Sequence, residues 1–313
     1  MRSLQATLLV ILIVISQITL GQVSPARVNS YGPNIFKGTS ADNRSSTYMV
    51  ALMREGMPFP SGFLCGATVI ADEWALTAAH CLYDGDCTPW RYSQIYAFSD
   101  QVVLNPDLPK LRAKEIVAHS NFVCVPEDQQ INAVKNGIPI PMGNDIGLVR
   151  LDGLRLPKQP LFLAAIRPAE ELSPLVASGW GSLNDTKQIS STLMSINLSQ
   201  MPAPSCTKAW APSTVSSDQL CVGPLKQGPL GGVCSGDSGG PLIATIDNER
   251  VQVGIVSFGH LACSHVDRPS LFTNVATHLT WIEKQIGRHA LPTRPVKGAP
   301  DCSVDKITGM AFC

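Results

Sequence analysis

The chain has 313 residues, 44% hydrophobic and 15% charged, a composition that excludes a disordered protein and suffices for a substantial packed core. Its 24 Lys and Arg balance 24 Asp and Glu, for a formal net charge of zero. With no dense basic run either, nucleic-acid binding drops out as a function class.

In chain order, the N-terminus "MRSLQATLLVILIVISQITLGQ" carries one arginine, an apolar run from Leu8 to Ile15, and smaller or more polar residues up to Gly21. This is the pattern of a secretory signal peptide over 1–21, cleaved near Gly21. The strongly apolar part is well short of the roughly 20 residues that a spanning helix needs, so no membrane attachment is expected after signal removal. An oxidising, extracellular destination makes the ten cysteines, an even number, readable as disulfides. Asn43, Asn184 and Asn197 each open an Asn-X-Ser/Thr sequence and are glycosylation candidates.

From about Tyr48 the sequence breaks into short β-type runs separated by Gly, Pro, Asn and Asp: "TYMVALM", "ATVIA", "SQIYAF", "QVVL", "LVRL", "VASGW", "PLIATI", "VQVGIVSFG" and "SLFTNV". Many short strands at this spacing predict an all-β protein of antiparallel sandwiches or barrels rather than βαβ units. "VCVPEDQQINAVKNGIPIPMG", between Phe122 and Asn144, reads as a long surface loop. The Pro-containing stretch "DGLRLPKQPLFL" marks a junction near 152–165 between two β units. Helical patterning is clear once, in "VATHLTWIEKQI", where Val275, Leu279, Ile282 and Ile286 share one face. After Gly287 comes a Pro-rich tail, 288–313, without periodicity, in which Cys302 and Cys313 are placed to close a small loop. No internal repeat of about 20–50 residues is present.

The stretch with most chemistry is "GGVCSGDSGGPL", Gly231 to Leu242, where Ser238 is hemmed in by glycines and an aspartate. A serine hydroxyl is a poor nucleophile at neutral pH and needs a nearby base, itself oriented by a third group. His80, in the apolar run "ALTAAHC", and Asp145, in "GNDIGLVRL" just before an apolar strand, are the candidates. Taken singly, each has a plainer explanation as a Gly-rich turn, a satisfied core histidine and a turn or cap aspartate.

Taken together, "LTAAHC", "NDIGLVRL" and "GDSGGPL", in the order His, Asp, Ser, resemble the motifs of the chymotrypsin-like (trypsin-fold) serine proteases. "SGWG" at Ser178–Gly181, "VSFG" at Val256–Gly259 and "FTNV" with "WIEKQI" agree, and the resemblance covers about Ile35 to Gly287. It implies two packed antiparallel β-barrels followed by a C-terminal α-helix. It also implies an endopeptidase acting on protein or peptide substrates through an acyl-enzyme, with no metal or organic cofactor. Under it Ser238 attacks the scissile carbonyl, His80 takes and returns the proton, Asp145 holds His80, and the backbone N–H groups of Gly236 and Ser238 form the oxyanion hole. Gly236 lets its amide turn toward substrate, and Gly239 and Gly240 tolerate tight packing.

The same resemblance implies disulfides Cys65–Cys81, Cys206–Cys221 and Cys234–Cys263. A further family bridge is absent as a pair, Leu175 and Ala244 standing at its positions. Cys87 with Cys124 and Cys302 with Cys313 are then the simplest remaining pairs, although sequence does not fix connectivity. The resemblance also implies that Gly232, six residues before Ser238, is the floor position of the substrate pocket. Without an acidic residue there, a substrate Arg or Lys would enter an apolar slot unpaired. Val233, Ser257, Gly259 and Ser270 complete the pocket, pointing to uncharged residues before the cut, with Leu, Met, Phe or Tyr ahead of Val and Ala.

Maturation in the family frees an Ile or Val terminus that pairs with the carboxylate before the serine, which makes Ile35 and Asp237 the activation pair and 22–34 a propeptide. Asn34 precedes Ile35 where the family usually has Arg or Lys, and Phe36 and Lys37 depart from the usual pattern. Three routes stay open: an asparagine-cleaving activator, another cation for Asp237, or a chain that stays zymogen-like. The expected partners are substrates, an activating protease and proteinaceous inhibitors. A rival from another class is a catalytically silent homologue acting as a secreted binding or regulatory protein.

Overall fold

The structure, a computed structural model, describes residues 35, 38–140, 143–165, 172–183, 188–225, 231–259, 269–287, 291–294, 303–304 and 311–312. Strands β2 (Met49–Arg54), β3 (Phe63–Ala71), β4 (Trp74–Thr77), β5 (Ile95–Ser99), β6 (Leu111–Ala118) and β7 (Gly147–Leu151) close into one antiparallel barrel in the order β2-β3-β4-β7-β6-β5. Two short elements precede it, strand β1 (Thr39–Ser40) and helix α1 (Asn43–Ser46). A second ring is formed by β9 (Leu175–Gly179), β10 (Met194–Gln200), β11 (Gln219–Pro224), β14 (Ser270–Asn274), β13 (Glu249–Phe258) and β12 (Pro241–Ile246), closed by the pairing of β12 with β9. Strand β1 pairs with β10; β8 (Phe162–Ala164) runs parallel to β13, and β15 (Thr293–Arg294) parallel to β8. The architecture is the expected pair of antiparallel barrels, and the helix α4 (Val275–Ile286) follows the second.

The sequence of β2, "MVALMR", does not alternate because both its faces are buried. Val50 and Leu52 point into the first barrel with Ala67, Val69, Leu76 and Leu148, whereas Met49, Ala51 and Met53 pack with Trp180, Leu193 and Ile243 of the second unit. The barrels are thus joined through a strand with two apolar faces. Helix α4 starts at Asn274, whose side chain accepts from the Ala276 amide at 3.1 Å. Its Val275 and Ile282 are fully buried in the first barrel's cluster, with Leu279 and Ile286 packed against it.

Several elements depart from expectation. "QVVL" forms no strand; only Val103 bridges, to Thr192. The segment expected to be a long loop contains helix α2 (Glu127–Asn136), and a further helix, α3 (Ala203–Trp210), precedes β11. Helix α2 is mostly polar, so it lacks a periodic apolar stripe. Its fit comes from Ala133, which packs with Ile140, Trp210 and Leu271, and from Gly137 ending it in the left-handed region at φ 62°. Acidic residues at its start and Lys135 at its end match the helix dipole. No helix among the described residues is long and apolar enough to cross a membrane.

Candidate active site

Strand β4 pairs with β7, Thr77 facing Gly147, so the residues just beyond β4 and just before β7 meet at one barrel rim. His80 opens a short 3-10 turn there, tied to β3 by the disulfide Cys65–Cys81. Asp145 lies opposite, only 4% exposed. The His80 backbone amide donates to Asp145 Oδ1 at 2.9 Å and His80 Nδ1 to Oδ2 at 2.7 Å. Because an ionised carboxylate only accepts, the proton belongs on Nδ1 and Nε2 is left as the ring's basic nitrogen.

Two further hydroxyls fix the aspartate. Ser257 Oγ donates to Asp145 Oδ2 at 2.7 Å, and Thr273 Oγ1 donates to the Asp145 carbonyl at 2.7 Å. Burial pushes the Asp145 carboxyl upward, but the charge and hydrogen bonds of His80 and the Ser257 hydroxyl outweigh it and hold the group below its ordinary value. For His80, burial pulls the ring downward, while the Asp145 charge and hydrogen bond prevail and raise it. The imidazole is therefore a stronger base than a free histidine, as proton abstraction from a hydroxyl requires.

The Ser238 turn is stitched to both barrels. Gly66 of β3 donates its amide to the Ser238 carbonyl at 2.8 Å; Gly239 donates to Val256 of β13 at 2.9 Å, and Val256 donates back to Gly240 at 2.8 Å. Gly239 has φ 75°, and a Cβ there would run into Thr77 Oγ1 and the Gly66 carbonyl, so neither the backbone nor the space admits a side chain. Gly236 has φ 94° and lies against Gly181. Ser238, Gly236, His80 and Asp145 line a single cleft of about 490 Å³. Among the described residues no hydrogen bond joins Ser238 to His80, whose Nε2 lies 3.7 Å from Cys81 Sγ. Hydrogen bonds between a base and a hydroxyl nucleophile are often long without substrate and tighten when it binds.

Asp237 is fully buried, and its carboxylate accepts the amides of Gly181 at 2.9 Å and Cys234 at 2.8 Å. Burial dominates these two bonds and pushes its pKa up to about 7. Among the described residues no cationic side chain forms an ion pair with it. Ile35 is also fully buried, within the second barrel's apolar cluster.

Of the expected pocket residues, Val233, Ser257 and Gly259 line the cleft, and Gly232 and Ser270 do not. Ser270 Oγ sits 3.6 Å from where a Cβ on Gly259 would stand. The Ser257 hydroxyl is committed to Asp145, so its part in the site is to hold the carboxylate. Cys65, His80 and Cys81 place their donor atoms within 4.8 Å of one another, but the two sulfurs share a disulfide and offer no thiolate to a metal ion.

Cys206–Cys221 and Cys87–Cys124 are both bonded, and Cys234 is disulfide-bonded. Its expected partner Cys263, together with Cys302, Cys313 and the glycosylation candidate Asn184, lies outside the described residues; Asn43 and Asn197 are exposed. The sequence reading missed Thr273, and it missed the far wall of the cleft, built by Phe122, Val125, Gln130, Ile131 and Ile140. The Cys87–Cys124 pairing was the available signal, since it brings this segment to the turn that follows His80.

Comparison with known proteins agrees with this geometry. The Trypsin family model matches residues 35–282. Kallikrein 1-related peptidase b3 of Mus musculus is 29% identical over 259 residues, 82% of this chain and 90% of that protein. Chymotrypsin-2 of Vespa crabro is 32% identical over 254 residues, 80% of this chain and 99% of that protein. Mannan-binding lectin serine protease 1 of Homo sapiens is 29% identical over 278 residues, 81% of this chain and 36% of that larger protein. With a family match across most of its length and both barrels in place, the chain belongs to the Trypsin family and is a serine protease, a hydrolase of peptide bonds.

Proposed function

We propose that this chain is the precursor of a secreted endopeptidase that cuts after uncharged, apolar or aromatic residues. It comprises a signal peptide over 1–21, a propeptide over 22–34, a protease domain over 35–287 with its barrel junction near 152–165, and a tail over 288–313. The observation that carries the reading is the convergence of His80, hydrogen-bonded at Nδ1 to a buried Asp145, with Ser238 and Gly236 on one cleft. Ser238 Oγ adds to the scissile carbonyl as its proton passes to His80 Nε2, and the amides of Gly236 and Ser238 hold the oxyanion. Expulsion of the amine takes that proton back, leaving an acyl-enzyme, which water hydrolyses by the same route.

A cut after Asn34 frees the Ile35 ammonium as the partner of Asp237, whose buried carboxyl otherwise retains a proton up to about pH 7. An asparagine-cleaving protease is the fitting activator, and proteinaceous inhibitors are natural partners of the mature form. The preference before the cut rests on the expected floor positions, where Val233, which lines the cleft, and Gly232, which does not, supply no counter-charge for Arg or Lys. Profiling the Ile35-started protein on a peptide library tests it. Cleavage after Leu, Met, Phe or Tyr is expected. Cleavage confined to Arg or Lys overturns the specificity, and no cleavage of any peptide favours a silent homologue with a binding role.

A further inference from the structure

Next to the Asp145 turn lie a second carboxylate, Asp218, and a buried histidine, His278. Asn144, the residue before Asp145, has φ 58°, in the left-handed region that non-glycine residues adopt only when held there. Its carbonyl accepts from the Ile146 amide at 2.9 Å, which makes Asp145 the middle residue of a three-residue turn. Its own amide donates to Asp218 Oδ2 at 2.6 Å. The direction of the Asp145 side chain therefore depends on where Asp218 holds the preceding peptide.

Asp218 is itself held from α4. Its carbonyl accepts from the Asn274 amide at 2.7 Å, and His278 Nε2 lies 3.5 Å from Asp218 Oδ2. The other ring nitrogen, His278 Nδ1, faces the Asn274 carbonyl at 3.1 Å and Thr277 Oγ1 at 3.0 Å. The Thr277 hydroxyl spends its proton on the same carbonyl, at 2.7 Å, so both of these oxygens act as acceptors toward the ring. Each ring nitrogen thus points at an acceptor. The side chains of His278 and Asp218 are only 5% and 14% exposed. His119 stands edge-on to His278 at 5.3 Å between centroids, and its ring is pushed downward by burial and by the His278 charge. Trp281 covers His119 at 5.1 Å. Neither Asp218 nor His278 lines the cleft.

We propose that Asp218 is a positioning residue for the catalytic carboxylate: it anchors the Asn144 amide and so aims Asp145 at His80, while His278 holds Asp218 in place. The proposal rests on the assignment of Asp145 as the third member of the triad. It separates the residues that set the proton relay from those that bind substrate, because Asp218 acts on Asp145 through the backbone alone.

The test uses the protein cut to Ile35 as wild type, Asp218→Ala and Asp218→Asn. The low-field proton resonance of His80 Nδ1–H reports the His80–Asp145 bond whether or not the protein turns over. In Asp218→Ala the resonance is expected to shift and the titration of His80 to move toward lower pH. Its kcat is expected to fall by about 10- to 100-fold, the scale of a small misplacement of a catalytic group, with KM unchanged. Asp218→Asn keeps an acceptor for the Asn144 amide and is expected to recover most of the kcat and the resonance. A wild-type resonance and titration in both variants overturns the proposal. If Asp218→Ala fails to fold, His278→Gln decides: the same resonance moves in the same direction but less far, and an unmoved resonance overturns the proposal. A wild-type protein that shows the resonance but cuts no peptide sinks the protease assignment, while the shift on substitution still decides the role of Asp218.

Discussion

Ser257 Oγ and His80 Nδ1 reach the same oxygen of Asp145, each at 2.7 Å, so one carboxylate oxygen serves both the base and a buried hydroxyl of the second barrel. Ser257→Ala leaves that oxygen with one donor fewer on a carboxylate that is only 4% exposed. Hydrogen bonds to charged groups contribute about 1.5–3 kcal/mol. The variant is expected to lose about 2 kcal/mol of stability and about tenfold in kcat/KM, measured by denaturant unfolding and peptide hydrolysis. Unchanged values in both would show that the Ser257 bond does not orient the site.

The pH profile follows from the His80–Asp145 pair. Proton abstraction needs a neutral ring, and His80 is raised above its ordinary 6.5, so kcat/KM is expected to fall as pH drops through a midpoint above 6.5. Asp145→Asn removes the charge that raises the ring and leaves burial, which lowers it. The midpoint then moves below 6.5 and kcat drops by about 10⁴-fold, the scale of this change in serine-protease triads. The pair's contribution to stability has its own window. For His80 it is complete below 6.5 and is lost as pH rises through the raised value; for Asp145 it is present above 3.8 and is lost as pH falls through the lowered value.

Asp237 titrates with the consequence opposite to that of Asp145. Its folded value of about 7 against an ordinary 3.8 means that the folded, uncut chain binds this proton more tightly than the unfolded one. The stability this provides is complete below 3.8 and is lost as pH rises through about 7, a change on the order of 4 kcal/mol. If the Ile35 ammonium pairs with Asp237 after cleavage, the carboxylate is stabilised and that loss is offset. The cut protein is expected to melt well above the uncut one at pH 8, with the gap narrowing at pH 5. Equal gaps at both pH values would place the ammonium elsewhere.

The disulfide Cys87–Cys124 joins the turn after His80 to the segment that walls the far side of the cleft. Closing a loop of this size contributes about 3–4 kcal/mol through the unfolded chain. Replacing both cysteines by serine is expected to cost stability of that order and to raise KM for longer peptides more than for single-residue esters, as steady-state kinetics on the two substrate classes would show. A uniform effect on both would mean that the wall does not touch substrate.

The elements legible in the sequence were those whose pattern has a local cause. Helix α4 announced itself through Val275, Leu279, Ile282 and Ile286 on one face, and the Ser238 turn through glycines needed where a side chain has no room. Helix α2 was hidden because only a few of its residues, Ala133 among them, face apolar neighbours, and its boundaries rest on Gly137 rather than on periodicity. "QVVL" failed as a strand because apolar β-branched residues state a preference without naming a partner, and Val103 finds only a single bridge. In the site, His80, Asp145 and Ser238 were legible as residue types in a recognised order. Thr273 and Asp218 were not, because their contribution is a contact with the Asp145 turn across more than 70 residues of chain.

The most direct test of the account is labelling of the purified protein with a fluorophosphonate serine probe, before and after cleavage by an asparagine-specific protease, with Ser238→Ala as control and N-terminal sequencing of each sample. The account predicts labelling at Ser238 that appears with the new Ile35 terminus and is absent from the control. A sample with a verified Ile35 terminus and no labelled serine would contradict it.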